Sequence, residues 1–224
     1  MSEFADAFFN IPILLEAWPI LLQGLGQTLL LSAVVVPLGL LGGLILALLS
    51  TMPSRWVRWP LMAWVDVFRA LPPLVLLVFV YAGLPFAGLE VSAFAAVAIG
   101  FFLNTGAYYG EILRAGIASV PAGQSEAARS MGLGRWQTMG LVVLPQAVRN
   151  VLPDLISNTL EVVKLTSIAA VVAMPELLFQ ARQAQSVTFN ATPIMAAAVA
   201  YFILLWPVVR LLSRLENRQL ARRT

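Results

Sequence analysis

Apolar segments long enough to cross a lipid bilayer recur along the chain. The sequence is 60% hydrophobic and only 11% charged, with a mean hydropathy of +0.86. A helix needs about 20 such residues to cross the ~30 Å hydrocarbon core. Five segments approach that length, at about residues 25–49, 72–88, 91–117, 151–173 and 194–212. We therefore predict an all-α polytopic membrane protein with five transmembrane helices, in which residues 1–224 form one domain.

Residue types that are missing exclude several kinds of chemistry. The chain has no His and no Cys, which removes disulfides, imidazole bases and the usual zinc ligands. Its one lysine is Lys164, and no Gly-x-x-x-x-Gly-Lys-Ser/Thr loop is present. We therefore expect no cofactor in this chain, no enzymatic activity and no nucleic-acid partner. Any nucleotide would be bound by another polypeptide.

Arginines are distributed unevenly between the two sides that five spans define. One side carries Arg55, Arg58, Arg129, Arg135, Arg149, Arg210, Arg214, Arg218, Arg222 and Arg223. The other carries Glu3, Asp6, Glu16, Glu90 and Glu176, with Arg182 as the exception. Because positive residues favour the cytoplasmic side, we expect the N-terminus outside and the C-terminus in the cytoplasm.

Shorter patterns predict surface helices and close packing. Residues 8–22, 54–68 and 175–187 are typical of amphipathic helices lying outside the spans. Gly39 and Gly43 form one Gly-x-x-x-Gly pair, and Gly106 and Gly110 form another. Such pairs allow two helix backbones to approach closely, and we expect these contacts inside the subunit.

Residues 119–147, between the third and fourth spans, form a polar segment with a distinctive spacing. It contains Glu126-Ala127-Ala128, then Gly132, then Val142-Val143-Leu144-Pro145. Pro121 suits a first helical turn, and Gly132 permits a sharp turn because glycine accepts positive φ. We predict a helix over 122–131 and a second over 135–144, with the chain re-entering the membrane at Pro145. An ordinary hairpin with solvated charges would share these features.

The spacing of this hairpin resembles the EAA loop of permease subunits of ATP-binding-cassette (ABC) importers. Its flanks, Tyr109–Ile117, Val120–Gln124 and Val163–Ser167, resemble the polar amino-acid branch, which includes histidine, glutamine, glutamate, arginine and opine types. The resemblance covers about residues 20–215. It implies the type I importer arrangement in a bacterial plasma membrane, with ATP bound by a partner subunit.

The resemblance also implies partners and a coupling site. The hairpin would contact an ATPase subunit through Glu126, Ala127, Ala128, Gly132, Leu144 and Pro145. A second permease subunit, identical or homologous, would complete the pathway. An extracytoplasmic binding protein would deliver a small amino-acid-like substrate.

Polar residues near the centre of the membrane are candidates for the substrate pathway. They are Asn104 in the third span and Glu161, Lys164, Thr166 and Ser167 in the fourth. Charges at that depth cost at least ~2.5 kcal/mol and usually face a cavity or a partner. Lys164 could receive a substrate carboxylate and Glu161 an ammonium. Equally, Glu161 and Lys164 could form a structural ion pair. For Glu111 and Arg114, which are also three residues apart, we predict a structural ion pair.

Two further considerations limit the function. Leu165 follows Lys164 where many relatives have an acid, which argues for a neutral or acidic amino acid, or a zwitterion such as an opine. The alternative is a stand-alone carrier or channel with Glu161 and Lys164 as an intramembrane relay. No repeated half is visible in the sequence, and such a protein would have no use for the hairpin.

Overall fold

The structure is a computed structural model that describes residues 2 to 220, so Arg222 and Arg223 lie outside the described residues. The all-α prediction is confirmed over that range, which contains no strand. The helices are α1 (Ser2–Phe8), α2 (Ile11–Ser50), α3 (Arg55–Ala70), α4 (Pro73–Phe86), α5 (Ala93–Ala118), α6 (Ala122–Ser130), α7 (Arg135–Thr138), α8 (Leu144–Asn150), α9 (Leu152–Leu165), α10 (Leu177–Thr188) and α11 (Thr192–Leu220). A π-helical turn, Met139–Val143, joins α7 to α8, and a 3-10 segment, Thr166–Val172, continues α9.

Four segments of the described chain are long and apolar enough to cross a membrane, or five if α3 and α4 together count as one bent span. The predicted third span corresponds to α5 and the predicted fifth span to α11, a helix longer than the predicted segment. The fourth consists of α9 followed by the 3-10 segment. The spans thus occur in the predicted order.

The centre of the fold is the contact between α2 and α5, where the two glycine pairs meet. A Cβ atom added at Gly43 would lie 2.7 Å from the backbone nitrogen of Gly110 and 2.6 Å from Cβ of Tyr109. One added at Gly39 would lie 2.5 Å from Oγ1 of Thr105. Both motifs therefore serve packing within the chain, as predicted, because only glycine leaves room for this approach.

The predicted surface helix at residues 8–22 is wrong as a separate element. Residues 11–50 form a single 40-residue helix, α2, that contains Pro19 and Pro37. Proline usually kinks or ends a helix, but here Ala17 and Leu21 are buried against α10 and α11. That packing holds the first turns in line with the rest of the helix.

The second span is broken, which the sequence prediction of 72–88 did not show. Its helix α4 has only 14 residues, about 21 Å at 1.5 Å per residue, and α3 meets it at a bend of 103°. Pro72 and Pro73 account for the break, because neither can donate a backbone hydrogen bond.

The sequence predicts that residues 54–68 form a surface helix outside the spans. The structure shows that this helix, α3, also packs against α5. The side-chain amide of Asn104, near the middle of α5, donates to the Phe68 carbonyl at 3.0 Å. The C-terminal end of α3 therefore packs against α5, about halfway along that helix. Amphipathic periodicity describes one packed face of a helix, not its depth in the membrane.

The second hairpin helix does not end at residue 144, where the sequence predicts its end. The chain remains helical through Pro145 to Asn150, and the interruption lies at Val151, where φ is −107° and ψ is 13°. The missing N–H of Pro145 coincides with the π-helical turn just before it. Such turns commonly occur where the regular hydrogen-bond ladder is disturbed.

Glu176 was counted with the external acidic residues, but it is fully buried. Its carboxylate accepts hydrogen bonds from the backbone N–H groups of Leu178 and Phe179, at 2.8 and 2.7 Å, and from the Tyr201 hydroxyl at 3.0 Å. Burial raises the pKa of this carboxyl above its ordinary value. Glu176 is thus the N-cap of α10 and joins it to α11.

We expect Gly43→Ala to lower the thermal stability of the purified protein. The new methyl group would collide with the α5 backbone, and overpacking of this kind costs about 1–3 kcal/mol. Gly26→Ala on the same helix is the control, because nothing lies within 4 Å of its Cβ position. Equal melting temperatures for the two variants in detergent would contradict a tight α2–α5 contact.

We expect Glu176→Ala to destabilise the protein by about 1–3 kcal/mol, since it leaves two partly buried backbone donors without an acceptor. Glu90, which is exposed, provides the control through Glu90→Ala. Thermal unfolding followed by tryptophan fluorescence would measure both. A Glu176→Ala melting temperature equal to that of Glu90→Ala would refute the capping role.

Candidate functional site

The hairpin of residues 119–147 has the turn that its glycines predict. Gly132 adopts φ of +90° directly after α6, a left-handed conformation that other residues rarely adopt. Glu126, Ala127 and Arg129 are exposed on α6, whereas Ala128 is 2% exposed. Glu126 and Arg129 form no ion pair with each other. The exposed part of the motif is therefore available to another protein, and Ala128 packs inward.

The second arm of the hairpin is tied to the foot of the membrane helices. Arg135 donates a hydrogen bond to the Thr51 carbonyl at 2.7 Å, across the turn between α2 and α3. Gly134 begins the arm, and its backbone N–H is satisfied by the Gln137 side chain at 2.9 Å. The hairpin thus contacts the C-terminal end of α2 as well as continuing into α9.

Three large apolar side chains on the hairpin are exposed, and none of them was predicted as a site residue. Met131 is 77% exposed, Trp136 57% and Leu141 69%. Leu144 is partly buried and Pro145 exposed at the end of the same arm. Exposed apolar groups of this size in a polar segment are typical of a protein interface. The presence of large apolar residues in an otherwise polar segment of the sequence could have predicted these interface residues.

Helix α9 presents one continuous polar face to its surroundings. Asp154, Ser157, Glu161 and Lys164 are all exposed, and their spacing of three or four residues places them on one side of the helix. We call these four residues the charged face. Lys164 Nζ donates to Glu161 Oε1 at 2.7 Å, with side chains 51% and 60% exposed.

The opposite side of α9 packs against the core of the bundle. Thr159 contacts the Tyr109 hydroxyl of α5 at 2.7 Å, and Val162 is 1% exposed. The charged face therefore points away from the chain's own core. Charged groups within a spanning helix are rarely turned toward lipid, so this face is suited to an aqueous cavity or a second subunit.

The structure does not gather all five pathway candidates at one place. Asn104 is 2% exposed, and its amide is bonded to the Phe68 carbonyl. Thr166 is fully buried and donates to the Val163 carbonyl at 2.6 Å. Ser167 donates to the Lys164 carbonyl at 2.8 Å and stays partly exposed. In this conformation only Glu161, Lys164 and Ser167 are accessible.

A second polar cluster lies where α3 meets α5. The Glu111 carboxylate receives two hydrogen bonds from Arg114, at 2.8 and 2.5 Å, as the predicted pair requires. Arg69 reaches the same carboxylate at 4.0 Å and lies 5.4 Å from the centre of the Tyr108 ring. Arg69 was not predicted as part of this cluster, although the sequence places it just before Leu71-Pro72-Pro73.

Comparison with known proteins agrees with this geometry. Residues 39–221 match the family described as binding-protein-dependent transport system inner membrane component. The chain is 41% identical over 177 residues to the probable amino-acid ABC transporter permease protein YckA of Bacillus subtilis (strain 168), covering 79% of this chain and 78% of that protein. It is 32% identical to the glutamine transport system permease protein GlnP of Escherichia coli (strain K12), covering 94% and 97%.

Solved structures show the same fold. The crystal structure of an amino acid ABC transporter with histidines superposes with a TM-score of 0.82 and 35% sequence identity, covering 92% of this chain and 96% of that chain. An inward-facing MetNI methionine ABC transporter gives a TM-score of 0.74 at 21% identity, which supports the fold alone. The predicted type I importer fold is thereby confirmed. The chain belongs to the binding-protein-dependent transport system inner membrane components, among the amino-acid ABC transporter permeases.

Proposed function

We propose that this chain is the membrane-spanning subunit of an ATP-driven importer of amino acids or related small zwitterions. The observation that carries the proposal is the charged face of α9, a polar strip on a membrane-crossing helix that the chain itself leaves uncovered. A strip of this kind suits a pathway between two subunits. The names of relatives, which mention amino acids and glutamine, support the substrate class.

The proposed assembly contains two permease subunits, two ATPase subunits and an extracytoplasmic binding protein. The hairpin would dock on the ATPase through its exposed face, including Glu126, Ala127 and the turn at Gly132. The arginine distribution supports an N-terminus outside and a hairpin in the cytoplasm. Whether the second permease subunit is identical or homologous depends on the partner genes.

Coupling follows from the attachments of the hairpin to the membrane helices. ATP binding brings the ATPase subunits together and moves the hairpins with them. The motion reaches α9 through the helical path across Pro145, and reaches the C-terminal end of α2 through the hydrogen bond from Arg135 to Thr51. Helix α9 carries the charged face, so its tilting would expose that face to one side of the membrane and then to the other.

The charges on α9 fit the two ends of a zwitterion. An amino acid presents a carboxylate, which suits Lys164, and an ammonium, which suits Glu161. In this conformation the two side chains form an ion pair with each other at 2.7 Å. A bound substrate would replace that pair, with its carboxylate on Lys164 and its ammonium group on Glu161. The neutral Leu165 beside them supports a substrate without an additional positive charge. A relay in a stand-alone carrier is the disfavoured alternative, since it gives the hairpin no role.

We expect Gly132→Val to weaken ATPase docking or transport-linked ATP hydrolysis while the spans remain inserted. A β-branched residue at φ of +90° would strain the turn by an estimated 1–3 kcal/mol, roughly the cost of other disfavoured backbone conformations. Gly140→Val is the control, because Gly140 also has nothing within 4 Å of its Cβ position but lacks the positive φ. Normal complex yield and normal substrate-stimulated hydrolysis in Gly132→Val would refute the coupling role.

We expect the double variant Glu161→Gln with Lys164→Met to assemble normally and yet to take up substrate poorly. Removing both charges leaves neither unpaired, but it removes the groups proposed to contact the substrate. Since a charged hydrogen bond contributes about 1.5–3 kcal/mol, uptake should fall at least ~10-fold. Transport into proteoliposomes would measure this, with binding to the external protein unchanged.

The ion pair of Glu111 and Arg114 supplies a matched control. It has the same i, i+3 spacing on a spanning helix, and Glu111→Gln with Arg114→Met should retain uptake once the complex is assembled. Near-normal uptake by the Glu161 and Lys164 double variant would instead assign that pair a structural role.

A further inference from the structure

The N-terminal end of α3 carries a surface that neither translocation nor coupling uses. Trp56 is 91% exposed and Trp59 is 73% exposed. Arg55 and Arg58 are exposed beside them, and neither guanidinium group has a hydrogen bond or ion pair with any part of the chain that the structure describes. We call these four residues the α3 foot.

The arrangement of residues around α3 leaves one apolar face of the helix without a packing partner among the described residues. At about 100° per residue, the helix has three faces: a packed face (Val57, Leu61, Val65), a polar face (Arg55, Arg58, Asp66) and an apolar face (Trp56, Trp59, Ala63, Val67). The packed face contacts α2 and α5. The apolar face has no partner within the described chain, although it carries two of the largest apolar side chains.

The position of the α3 foot at one edge of the membrane follows from the rest of the helix. Four residues separate the end of α2 at Ser50 from the start of α3, and the other end of α3 reaches Asn104, near the middle of α5. The foot therefore lies at the membrane boundary next to the hairpin, which is cytoplasmic in the proposed orientation. Tryptophan and arginine are both enriched at such boundaries.

We propose that the α3 foot binds an anionic phospholipid of the cytoplasmic leaflet. Arg55 and Arg58, one turn apart, hold the phosphate, because guanidinium groups pair with phosphate oxygens in a planar, two-pronged geometry. Trp56 and Trp59 pack against the glycerol and upper acyl chains. Charge complementarity favours this occupant, since the sequence has no acidic residue between Glu16 and Asp66.

Binding at this place would act on the coupling hairpin. The turn between α2 and α3 precedes the foot directly, and its Thr51 carbonyl accepts the hydrogen bond from Arg135. A lipid that restrains Arg55 and Arg58 also restrains that turn. Anionic lipid and the ATPase therefore bias the same junction, which makes the coupling step sensitive to the composition of the cytoplasmic leaflet.

Native mass spectrometry of the purified full-length chain tests the proposal directly. The protein would be offered equal amounts of phosphatidylglycerol and phosphatidylcholine, and the bound lipids counted. A hydrogen bond to a charged group contributes about 1.5–3 kcal/mol, so Arg55→Gln or Arg58→Gln should each reduce the preference for phosphatidylglycerol at least ~10-fold. The double variant should reduce it at least ~100-fold by the same arithmetic. Arg55→Lys with Arg58→Lys should fall between the native chain and the double Gln variant, because lysine keeps the charge but lacks the two-pronged geometry.

A second pair of arginines provides the control for general electrostatics. Arg210 and Arg214 lie on α11, with Arg210 5.4 Å from the Trp206 ring, and belong to the same side of the membrane. Arg210→Gln with Arg214→Gln removes the same charge and should leave the preference at the foot intact. An equal loss in both double variants, or no loss in the foot variant, would overturn the proposal.

Other occupants of the apolar face would be revealed by crosslinking. The chain has no cysteine, so Trp56→Cys gives a single reactive site in cells. A crosslink from this site to a second copy of the chain or to an ATPase subunit would overturn the lipid assignment. Lipid preference is measured on the isolated chain without transport, so its failure is distinguishable from failure of the proposed importer function.

Discussion

The close contact between α2 and α5 is the constraint on which the other helices depend. Gly43 and Gly110 bring the two backbones so near that no side chain fits between them. With α5 fixed at the centre, its remaining sides receive other elements: Asn104 bonds to α3, Gly100 faces Leu77 of α4, and Tyr109 bonds to Thr159 of α9. In a membrane, where apolar burial between helices gains little, such packing and hydrogen bonding are the main sources of association.

The hairpin is joined to this frame at several places, and this gives it mechanical access to the membrane helices. Its first arm follows directly from α5, and its second arm continues through the π-helical turn and Pro145 toward α9. Helix α8 packs against α5, and Arg135 donates a hydrogen bond to Thr51, the C-cap residue of α2. Helix α9 carries the exposed charged face, so a force on the hairpin acts on the helix that bears those charges.

Charged residues in the bundle fall into two groups with different surroundings. Glu176 is buried and has all its hydrogen bonds supplied by α10 and α11, so its role is to fix those helices. Glu161 and Lys164 are exposed and paired only with each other. A pair that the chain leaves uncovered at membrane depth is available for exchange with a ligand, whereas a fully enclosed carboxylate is not.

The sequence by itself determined the helical membrane class, the order of the spans, the glycine contacts and the hairpin with its Gly132 turn. Length of apolar runs, glycine spacing and the need for positive φ are local properties, so they can be read without a fold. Only the tertiary structure showed that residues 11–22 belong to α2, that the C-terminal end of α3 packs against the middle of α5, and that Glu176 is buried. It also separated Asn104 and Thr166, which are enclosed, from Glu161 and Lys164, which are not. The hydrophobic periodicity of a helix and the depth of a residue in the membrane do not tell whether that residue faces a neighbouring helix or faces outward. Only the packing of the other helices decides which side chains are enclosed.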